Sequence, residues 1–173
     1  MKTAYFIVGP ESSGTRMITK AFCSIGIHGD YKHKQRMDNL DFSETPKQIV
    51  LRRSLPHGDA WPAIADTITL MKQAGYKNIV PILILRDKDA TVQSQIRHVH
   101  EKKDDNSRLN ISFSIEHTYK ELSKVGLVPT VICYEPFVKY EEVRKCFFNS
   151  LGLTNPVMDF YNANEQYEAK AAK

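Results

Sequence analysis

The sequence predicts an α/β fold in which a parallel sheet of about four to five strands is covered by helices on both faces. Apolar runs typical of strands alternate with segments of helical spacing, which is the pattern of a parallel sheet. The run Ile79–Leu85 (IVPILIL) is almost wholly apolar, as expected for a central strand buried on both faces. The length of 173 residues fits a single domain over 1–173, with its core at about 4–153 and a weakly patterned tail at 154–173.

Glycine and proline divide the first half of the chain into elements. Tyr5–Val8 predicts the first strand, and Arg16–Ile25 predicts a helix because its apolar residues recur at helical spacing before Gly26 stops it. Gln48–Leu51 predicts the second strand, which a Pro- and Gly-containing loop ends. Trp61–Gly75 then predicts an amphipathic helix.

The second half continues this alternation. Three further helices are predicted at Ala90–Glu101, Ile111–Val125 and Phe137–Leu151, and the fourth strand is predicted at Thr130–Tyr134. The charged stretch Lys102–Asn110 predicts a mobile connection between two of these helices. No internal repeat and no linker interrupts the pattern.

Composition and charge favour some kinds of binding partner and exclude others. A net charge of +4 suits anionic ligands, but the chain lacks the basic stripe with interleaved aromatic residues typical of nucleic-acid binding, so no nucleic-acid partner is predicted. No apolar run reaches the length of a membrane span, and no signal peptide is apparent. Cys23, Cys133 and Cys146 are widely spaced in apolar surroundings, which predicts buried thiols in a reducing compartment and a cytoplasmic location.

Three loops at the predicted carboxyl ends of strands carry basic or hydroxyl groups. They are Gly9–Arg16, Arg52–Gly58 and Arg86–Ser94. Ligands of parallel α/β folds collect outside this edge of the sheet, so we expect the three loops to form one site.

The first of these loops has the composition of a phosphate cradle. A strand, a small polar loop and a helix start present backbone amides to an anion, and the hydroxyls of Ser12, Ser13 and Thr15 add donors. The spacing of Gly9 and Gly14 matches the nucleotide-binding P-loop, but Thr15 and Arg16 replace its lysine and its magnesium-binding hydroxyl. This predicts a donor that needs no metal. The alternative is an ordinary strand–turn–helix corner.

These motifs resemble those of the sulfotransferases that use 3′-phosphoadenosine 5′-phosphosulfate (PAPS), a family with a P-loop NTPase-like fold. Gly9–Arg16 is similar to the family's 5′-phosphosulfate loop, G-x-x-K-[SG]-G-T-[TRS]. Arg86 and Ser94, in LRDKDATVQS, have the spacing of its 3′-phosphate motif. Tyr134-Glu135 and Leu151-Gly152-Leu153 match two less specific motifs of the same family.

The resemblance implies transfer of a sulfuryl group from PAPS to a hydroxyl or amine of a small-molecule or carbohydrate acceptor, without a metal. It implies that Arg86 and Ser94 bind the 3′-phosphate of the donor; the alternative for Arg86 is a salt bridge to Asp87 or Asp89. It also implies that the 5′-phosphosulfate is bound by the first loop, through Gly9, Ser12, Ser13, Gly14, Thr15 and Arg16.

Ser12 departs from the family pattern, which has a lysine at this position that contacts the bridging oxygen of the donor. A serine hydroxyl donates a hydrogen bond but carries no charge. Ser12 and Arg16 are therefore candidate catalytic residues, and Arg52 or Arg53 is an alternative source of the missing charge. Arg52 and Arg53 are also expected on the acceptor side of the site.

His57 is the candidate general base and a candidate acceptor contact, because the resemblance implies a catalytic histidine near this position after the second strand and because the ordinary pKa of histidine lies near neutrality. A surface-loop histidine is the alternative interpretation, and Asp59 and Glu11 are then the candidate bases. His98 and His100 face different directions on the predicted helix, so no metal site is predicted there.

Two other functions stay open from the sequence. A P-loop kinase of a small metabolite would require Mg²⁺, and a non-catalytic nucleotide-binding module would agree with the absence of lysine at Ser12. The stretches 28–47 and 102–110 are the expected acceptor-facing flaps.

Overall fold

A four-stranded parallel sheet forms the centre of the computed structural model, which describes residues 1–29, 46–56, 60–98, 104–165 and 167. Its strands are β1 (Thr3–Pro10), β2 (Gln48–Leu55), β3 (Asn78–Leu85) and β4 (Thr130–Cys133), in the order β2-β1-β3-β4. Every pairing is parallel. The predicted α/β class and parallel sheet are thereby confirmed.

Six helices occur in the described ranges. They are α1 (Thr15–Ser24), α2 (Ile64–Gln73), α3 (Lys88–Arg97), α4 (Asp104–Lys124), α5 (Tyr134–Lys139) and α6 (Glu141–Ser150). Within those ranges, none of the helices combines the length and apolarity that crossing a bilayer requires.

Two hydrophobic cores lie on opposite faces of the sheet, as predicted for helices on both faces. Strand β1 is buried along its whole length and contributes alternately to the two cores. Tyr5 and Ile7 pack with Phe22 of α1 on one face, where the aromatic residues of α5 and α6 join them. Phe6 and Val8 pack on the other face against α2 and against Leu122 of α4. Because every pairing is parallel, the carboxyl ends of all four strands lie at one edge of the sheet.

Strand β2 is longer than predicted. The expected loop at Arg52–Gly58 begins only after Leu55, because the ladder with β1 continues through the pairs Arg52–Ile7, Arg53–Val8 and Ser54–Gly9. Backbone pairing with a buried central strand outweighs the polar composition of these residues.

Helix α4 also starts earlier than predicted. The charged stretch 102–110 was expected to be mobile, but it is helical from Asp104 onwards. Ser107 is fully buried, and the guanidinium of Arg108 forms a 2.7 Å ion pair with Asp89 of α3. These contacts fix the first turns of α4 against its neighbour.

The single helix predicted at Phe137–Leu151 is divided into α5 and α6 by Tyr140, whose backbone is extended. Arg144 stabilises the break, since its Nη1 donates 2.9 Å hydrogen bonds to the carbonyls of Phe137 and Val138 at the end of α5. Tyr134, predicted as the last strand residue, instead begins α5.

The prediction of buried thiols is wrong for two of the three cysteines. Cys133 and Cys146 are exposed, and Cys23 is partly buried. Cys133 lies on the short edge strand β4, where three of the four residues are exposed, and Cys146 lies on the outer face of α6. The apolar residues beside them in sequence, such as Ile132 and Phe147, pack in or against the core, whereas the two thiols do not.

We predict that Glu121 of α4 stabilises the fold by capping the amino-terminal end of α2. Its Oε2 accepts a 3.2 Å hydrogen bond from the amide of Ala65 in the first turn of α2, whose own N-cap residue, Ala63, supplies no side-chain acceptor. Burial raises the pKa of Glu121, but the hydrogen bonds from Lys124 and Ala65 outweigh it, so the pKa lies below its ordinary value of 4.5.

Glu121→Gln should therefore lower the free energy of unfolding by about 1 kcal/mol at neutral pH. Because the folded-state pKa is depressed, the contribution of the carboxylate is present above pH 4.5 and is lost as the pH falls through the folded-state value. Urea unfolding at about pH 7 and about pH 3.5 should thus show a smaller difference between variant and wild type in acid. Glu116→Gln, at an exposed position in the middle of the same helix, is the matched control and should change little.

Candidate functional site

A cleft of about 620 Å³ opens at the carboxyl edge of the sheet. The first loop, the ends of β2 and β3, helix α3 and the chain after α6 all contribute to its walls. The lining residues are Glu11, Ser12, Gly14, Thr15, Arg16, Met17, Lys20, Arg52, Ser54, Arg86, Ser94, Arg97, His98, Tyr134, Met158, Asp159, Tyr161 and Ala163.

The first loop turns sharply from β1 into α1. Ser12 and Gly14 both have left-handed backbone conformations, with φ of 68° and 100°, and the amide of Ser13 donates to the carbonyl of Pro10 at 3.0 Å. Gly14 is the N-cap of α1 and has no side chain to accept from the first-turn amides. No acidic residue lies in that turn, so no carboxylate of α1 offsets the positive end of its helix dipole.

Gly9 and Ser13 shape the loop from behind. The Ser13 hydroxyl lies 2.6 Å from the position that a Cβ on Gly9 would occupy, and such a Cβ would also lie 2.7 Å from the carbonyl oxygen of Ile84. Ser13 is fully buried, and its hydroxyl has no hydrogen-bond partner among the described residues. A ligand in the cleft would thus meet the backbone of this part of the loop, while the Ser13 side chain packs on β1.

Arg86, at the end of β3, is held by the loop and by the chain beyond α6. Its Nη1 donates to the carbonyl oxygen of Ser12 and its Nε to Oδ1 of Asn164, each at 2.7 Å. The guanidinium carbon lies 5.0 Å from the ring centre of Tyr134 and 5.8 Å from that of Tyr167. Nη2 is buried and has no hydrogen-bond partner in the described part of the chain.

The alternative salt bridge of Arg86 to a neighbouring aspartate does not form. Asp87 Oδ1 accepts from the amide of Ala90 and caps α3, whereas Asp89 pairs with Arg108 of α4. Both carboxylates are thus engaged with other groups. Arg86 keeps its charge beside the cleft.

Ser94 lies on α3 and faces the same cleft as Arg86 and the first loop. It is 6% exposed, and its hydroxyl makes no hydrogen bond to another described residue. The next residue, Gln95, donates from Nε2 to the carbonyl of Glu11 at 2.8 Å and so ties α3 to the loop. The two anion-binding motifs predicted from sequence therefore border one cavity.

Only one of the two predicted β2 arginines lines the cleft. Residues 52 and 53 point to opposite faces of the sheet, because Arg52 pairs with Ile7 and Arg53 with Val8. Ser54, on the same face as Arg52, also lines the cleft, and its hydroxyl shares a 3.0 Å hydrogen bond with that of Thr15. The predicted second strand ended at Leu51; a strand predicted to run to Leu55 would have placed Ser54 on the same face as Arg52.

Positive charge predominates in the cleft. Among the lining residues that the structure describes, two carboxylates, those of Glu11 and Asp159, face five basic side chains. The side chain of Arg16 is exposed and makes no ion pair or hydrogen bond with another described residue. The five basic residues are Arg16, Lys20, Arg52, Arg86 and Arg97. An anionic ligand suits this charge distribution.

The predicted general base His57, its alternative Asp59 and most of the predicted flap at 28–47 lie outside the described residues. The other alternative base, Glu11, lines the cleft next to Ser12. His98 is the C-cap of α3 and also lines the cleft, a position that its sequence pattern does not predict. Two carboxylates, those of Glu11 and Asp159, and the imidazole of His98 therefore lie among the described residues that line the cleft.

The chain after α6 forms one wall of the cleft. The Tyr134 hydroxyl donates to the carbonyl of Tyr161 at 3.3 Å and accepts from the amide of Ala163 at 3.2 Å. Burial raises the pKa of the Tyr134 hydroxyl, even though the Ala163 hydrogen bond and the charge of Arg86 oppose this shift. The hydroxyl therefore keeps its proton at neutral pH and can serve both contacts.

Comparison with known proteins assigns no family to this chain. A scan against protein-family models finds no match, and a search of curated proteins finds none. Among the described residues, no group of three or more His, Cys, Asp or Glu side chains is placed to hold a metal ion. The chemistry of the cleft is that of backbone amides, hydroxyls and guanidinium groups, which favour oxyanions.

Proposed function

We propose that this protein is a sulfotransferase with a P-loop-type fold, which moves a sulfuryl group from PAPS to a hydroxyl or amine of a small-molecule or carbohydrate acceptor and releases adenosine 3′,5′-bisphosphate. The supporting observation is that the first loop and the Arg86–Ser94 pair border one cleft. PAPS carries a phosphosulfate and a separate 3′-phosphate, so it needs two oxyanion positions in one cavity. A cytoplasmic location belongs to the same proposal.

The 5′-phosphosulfate of the donor occupies the mouth of the first loop. The uncapped first turn of α1 supplies backbone amides and the positive end of the helix dipole. Arg16, in that turn, adds a guanidinium that no other described residue engages. Thr15, through its hydrogen bond to Ser54, fixes the adjoining wall.

The 3′-phosphate of the donor lies against Arg86 and Ser94. The Nη2 group of Arg86 and the hydroxyl of Ser94 are the polar groups on this side of the cleft whose hydrogen-bonding capacity is unused among the described residues. A guanidinium and a hydroxyl suit phosphate oxygens, and charge-assisted bonds of this kind contribute about 1.5–3 kcal/mol each.

In the transfer step, the acceptor oxygen or nitrogen forms a bond to sulfur while the bond from sulfur to the bridging oxygen breaks. The electron pair of the broken bond stays on the 5′-phosphate, and the acceptor proton passes to a base. Arg16 takes the role of the missing loop lysine and stabilises the charge that develops on the bridging oxygen. His57 is the proposed base, with Glu11 as the alternative whose side chain lines the cleft.

A non-catalytic nucleotide-binding module is the second candidate function. Ser12 supports it, because its uncharged hydroxyl cannot supply the positive charge that the family's lysine brings to the bridging oxygen. Such a module would bind adenosine 3′,5′-bisphosphate without transferring sulfate, so transfer rather than binding separates the two functions.

Metal-free stabilisation by adenosine 3′,5′-bisphosphate tests the proposed donor site. At a hundred times its Kd, the nucleotide should raise the free energy of unfolding by about 2.7 kcal/mol in the presence of EDTA. ATP that stabilises the protein only with Mg²⁺ would instead indicate the kinase. Transfer of labelled sulfate from PAPS to a panel of acceptors then distinguishes the enzyme from the binding module.

Arg16→Ala should lower the transfer rate by about 10²–10³ with a smaller loss of nucleotide affinity, because its charge acts mainly on the leaving oxygen. Lys77→Ala removes an exposed charge at the opposite edge of the sheet and serves as the control. Equal transfer rates in these two variants would remove Arg16 from the mechanism.

A further inference from the structure

Asn164 lies between a cation and an anion of the candidate site. Its Oδ1 accepts from Arg86 Nε at 2.7 Å, and its Nδ2 donates to Glu135 Oε1 at 2.8 Å. The same Glu135 oxygen accepts from the amide of Asp87 at 2.8 Å. Asn164 itself is 3% exposed, and its two hydrogen bonds are partly buried.

A neutral amide is the group that satisfies both neighbours without changing the charge of either. Its carbonyl accepts from the guanidinium, and its NH₂ group donates to the carboxylate. A carboxylate placed directly on Arg86 would neutralise the arginine and occupy its donors. With Asn164 in between, Arg86 forms no ion pair with Glu135, and the positive charge beside the cleft is kept.

The orientation of Arg86 is fixed at the same time. The backbone carbonyl of Ser12 and the side-chain carbonyl of Asn164 hold two of its nitrogens, and the guanidinium carbon lies 5.0 Å from the ring centre of Tyr134. Nη2 is the guanidinium nitrogen without a hydrogen-bond partner in the described ranges. Asn164 itself is not among the residues that line the cleft, so any effect on a ligand passes through Arg86.

We infer that Asn164 is a positioning residue that sets the preference of this cleft for nucleotides with a 3′-phosphate, by orienting Arg86 while leaving its charge available. The inference rests on the proposed function, since the 3′-phosphate of PAPS is taken as the partner of Arg86. The contact spans 78 positions of sequence and joins the chain after α6 to the end of β3. It makes the C-terminal part of the chain a component of the donor site.

The test is the ratio of two dissociation constants, for adenosine 5′-monophosphate and for adenosine 3′,5′-bisphosphate, measured by calorimetry on the full chain. Asn164→Asp keeps the shape of the side chain but places a carboxylate on Arg86 and beside Glu135. The preference for the bisphosphate should fall about tenfold or more, while the affinity for the monophosphate stays near that of the wild type.

The pH dependence of this ratio in Asn164→Asp is a second readout, and it would not change if Asn164 had only a structural role. As the introduced carboxyl group gains a proton, the preference for the bisphosphate should return towards the wild-type ratio measured at the same pH. Asn164→Ala removes both hydrogen bonds without adding a charge and should give a smaller loss of preference. It serves the same test if the first variant does not fold. Asn149→Ala, on the exposed face of α6, should leave the ratio unchanged.

The outcomes separate this inference from the proposed function. A wild-type ratio in Asn164→Asp, with the bisphosphate still bound, would overturn the role of Asn164 and leave the sulfotransferase proposal standing. An equal loss of affinity for both nucleotides would show that Asn164 has only a structural role and would overturn the inference as well. A wild-type protein that binds neither nucleotide, or does not prefer the bisphosphate, would overturn the proposed donor and this inference together.

Discussion

Replacing Arg86 by alanine should weaken the binding of adenosine 3′,5′-bisphosphate by about ten- to a hundredfold. The charge-assisted hydrogen bond from Nη2 to the 3′-phosphate is lost at about 1.5–3 kcal/mol, and about 1.4 kcal/mol corresponds to a factor of ten. The carbonyl of Ser12 and Oδ1 of Asn164 lose their donor in the same variant. The loop and the C-terminal wall of the cleft are thus loosened together.

Arg86→Lys separates the charge from the geometry. A lysine keeps the positive charge but cannot donate to Ser12, Asn164 and a phosphate in fixed directions at once, so we expect it to restore only part of the affinity. Calorimetry gives the affinity, and urea unfolding shows how much of the change is a loss of stability. Lys145→Ala removes a basic side chain that pairs with Glu141 on α6, outside the cleft, and should leave the affinity unchanged. Wild-type affinity in Arg86→Ala would exclude Arg86 from the donor site.

The layered fold could be predicted because the strands are marked in the sequence by their own runs of apolar residues. Ile79–Leu85 is apolar along its length since both of its faces are covered, and this holds whatever the neighbouring elements are. Arg86 and Ser94 were paired through the resemblance of their spacing to the 3′-phosphate motif, and the fold explains why both border one cleft. A residue at the end of a strand and one in the helix that follows it face the same edge of the sheet.

The rest of the site depends on contacts between segments that are far apart in sequence. Nothing near Asn164 indicates that it will bond Arg86, because the local pattern after Thr154 is weak and the contact is formed by the fold as a whole. The polar residues Arg52 and Ser54 likewise become part of a strand only because β1 lies beside them. Tertiary pairing of this kind overrides local propensity.

The orientation of Ser13 was beyond sequence reasoning for another reason. Its hydroxyl was expected in the cradle, yet the left-handed backbone at Ser12 and Gly14 turns it towards Gly9 and away from the cleft. Loop dihedral angles decide which side chains a ligand meets. The composition of the loop predicts an anion site without giving those angles.

Gly14→Ala should be the most disruptive small substitution in the first loop. A Cβ at this position would lie 2.6 and 2.7 Å from two ring carbons of Tyr134, and the backbone φ of 100° is one that residues with a side chain rarely adopt. The Tyr134 ring is fully buried and cannot move aside into solvent. We expect a loss of several kcal/mol in the free energy of unfolding, measured by urea denaturation, because overpacking and backbone strain add.

Gly26→Ala isolates the contribution of the ring. Gly26 has a similar φ of 85°, but a Cβ there would meet nothing within 4 Å, so its substitution should cost only the backbone strain of about 1–2 kcal/mol. If Gly14→Ala is no more destabilising than Gly26→Ala, the packing of Tyr134 on the loop is not tight. The same ring packs on Arg86, so displacing it also displaces the guanidinium. The affinity for adenosine 3′,5′-bisphosphate should therefore fall in Gly14→Ala and stay unchanged in Gly26→Ala, which would show that one buried ring couples the two oxyanion positions.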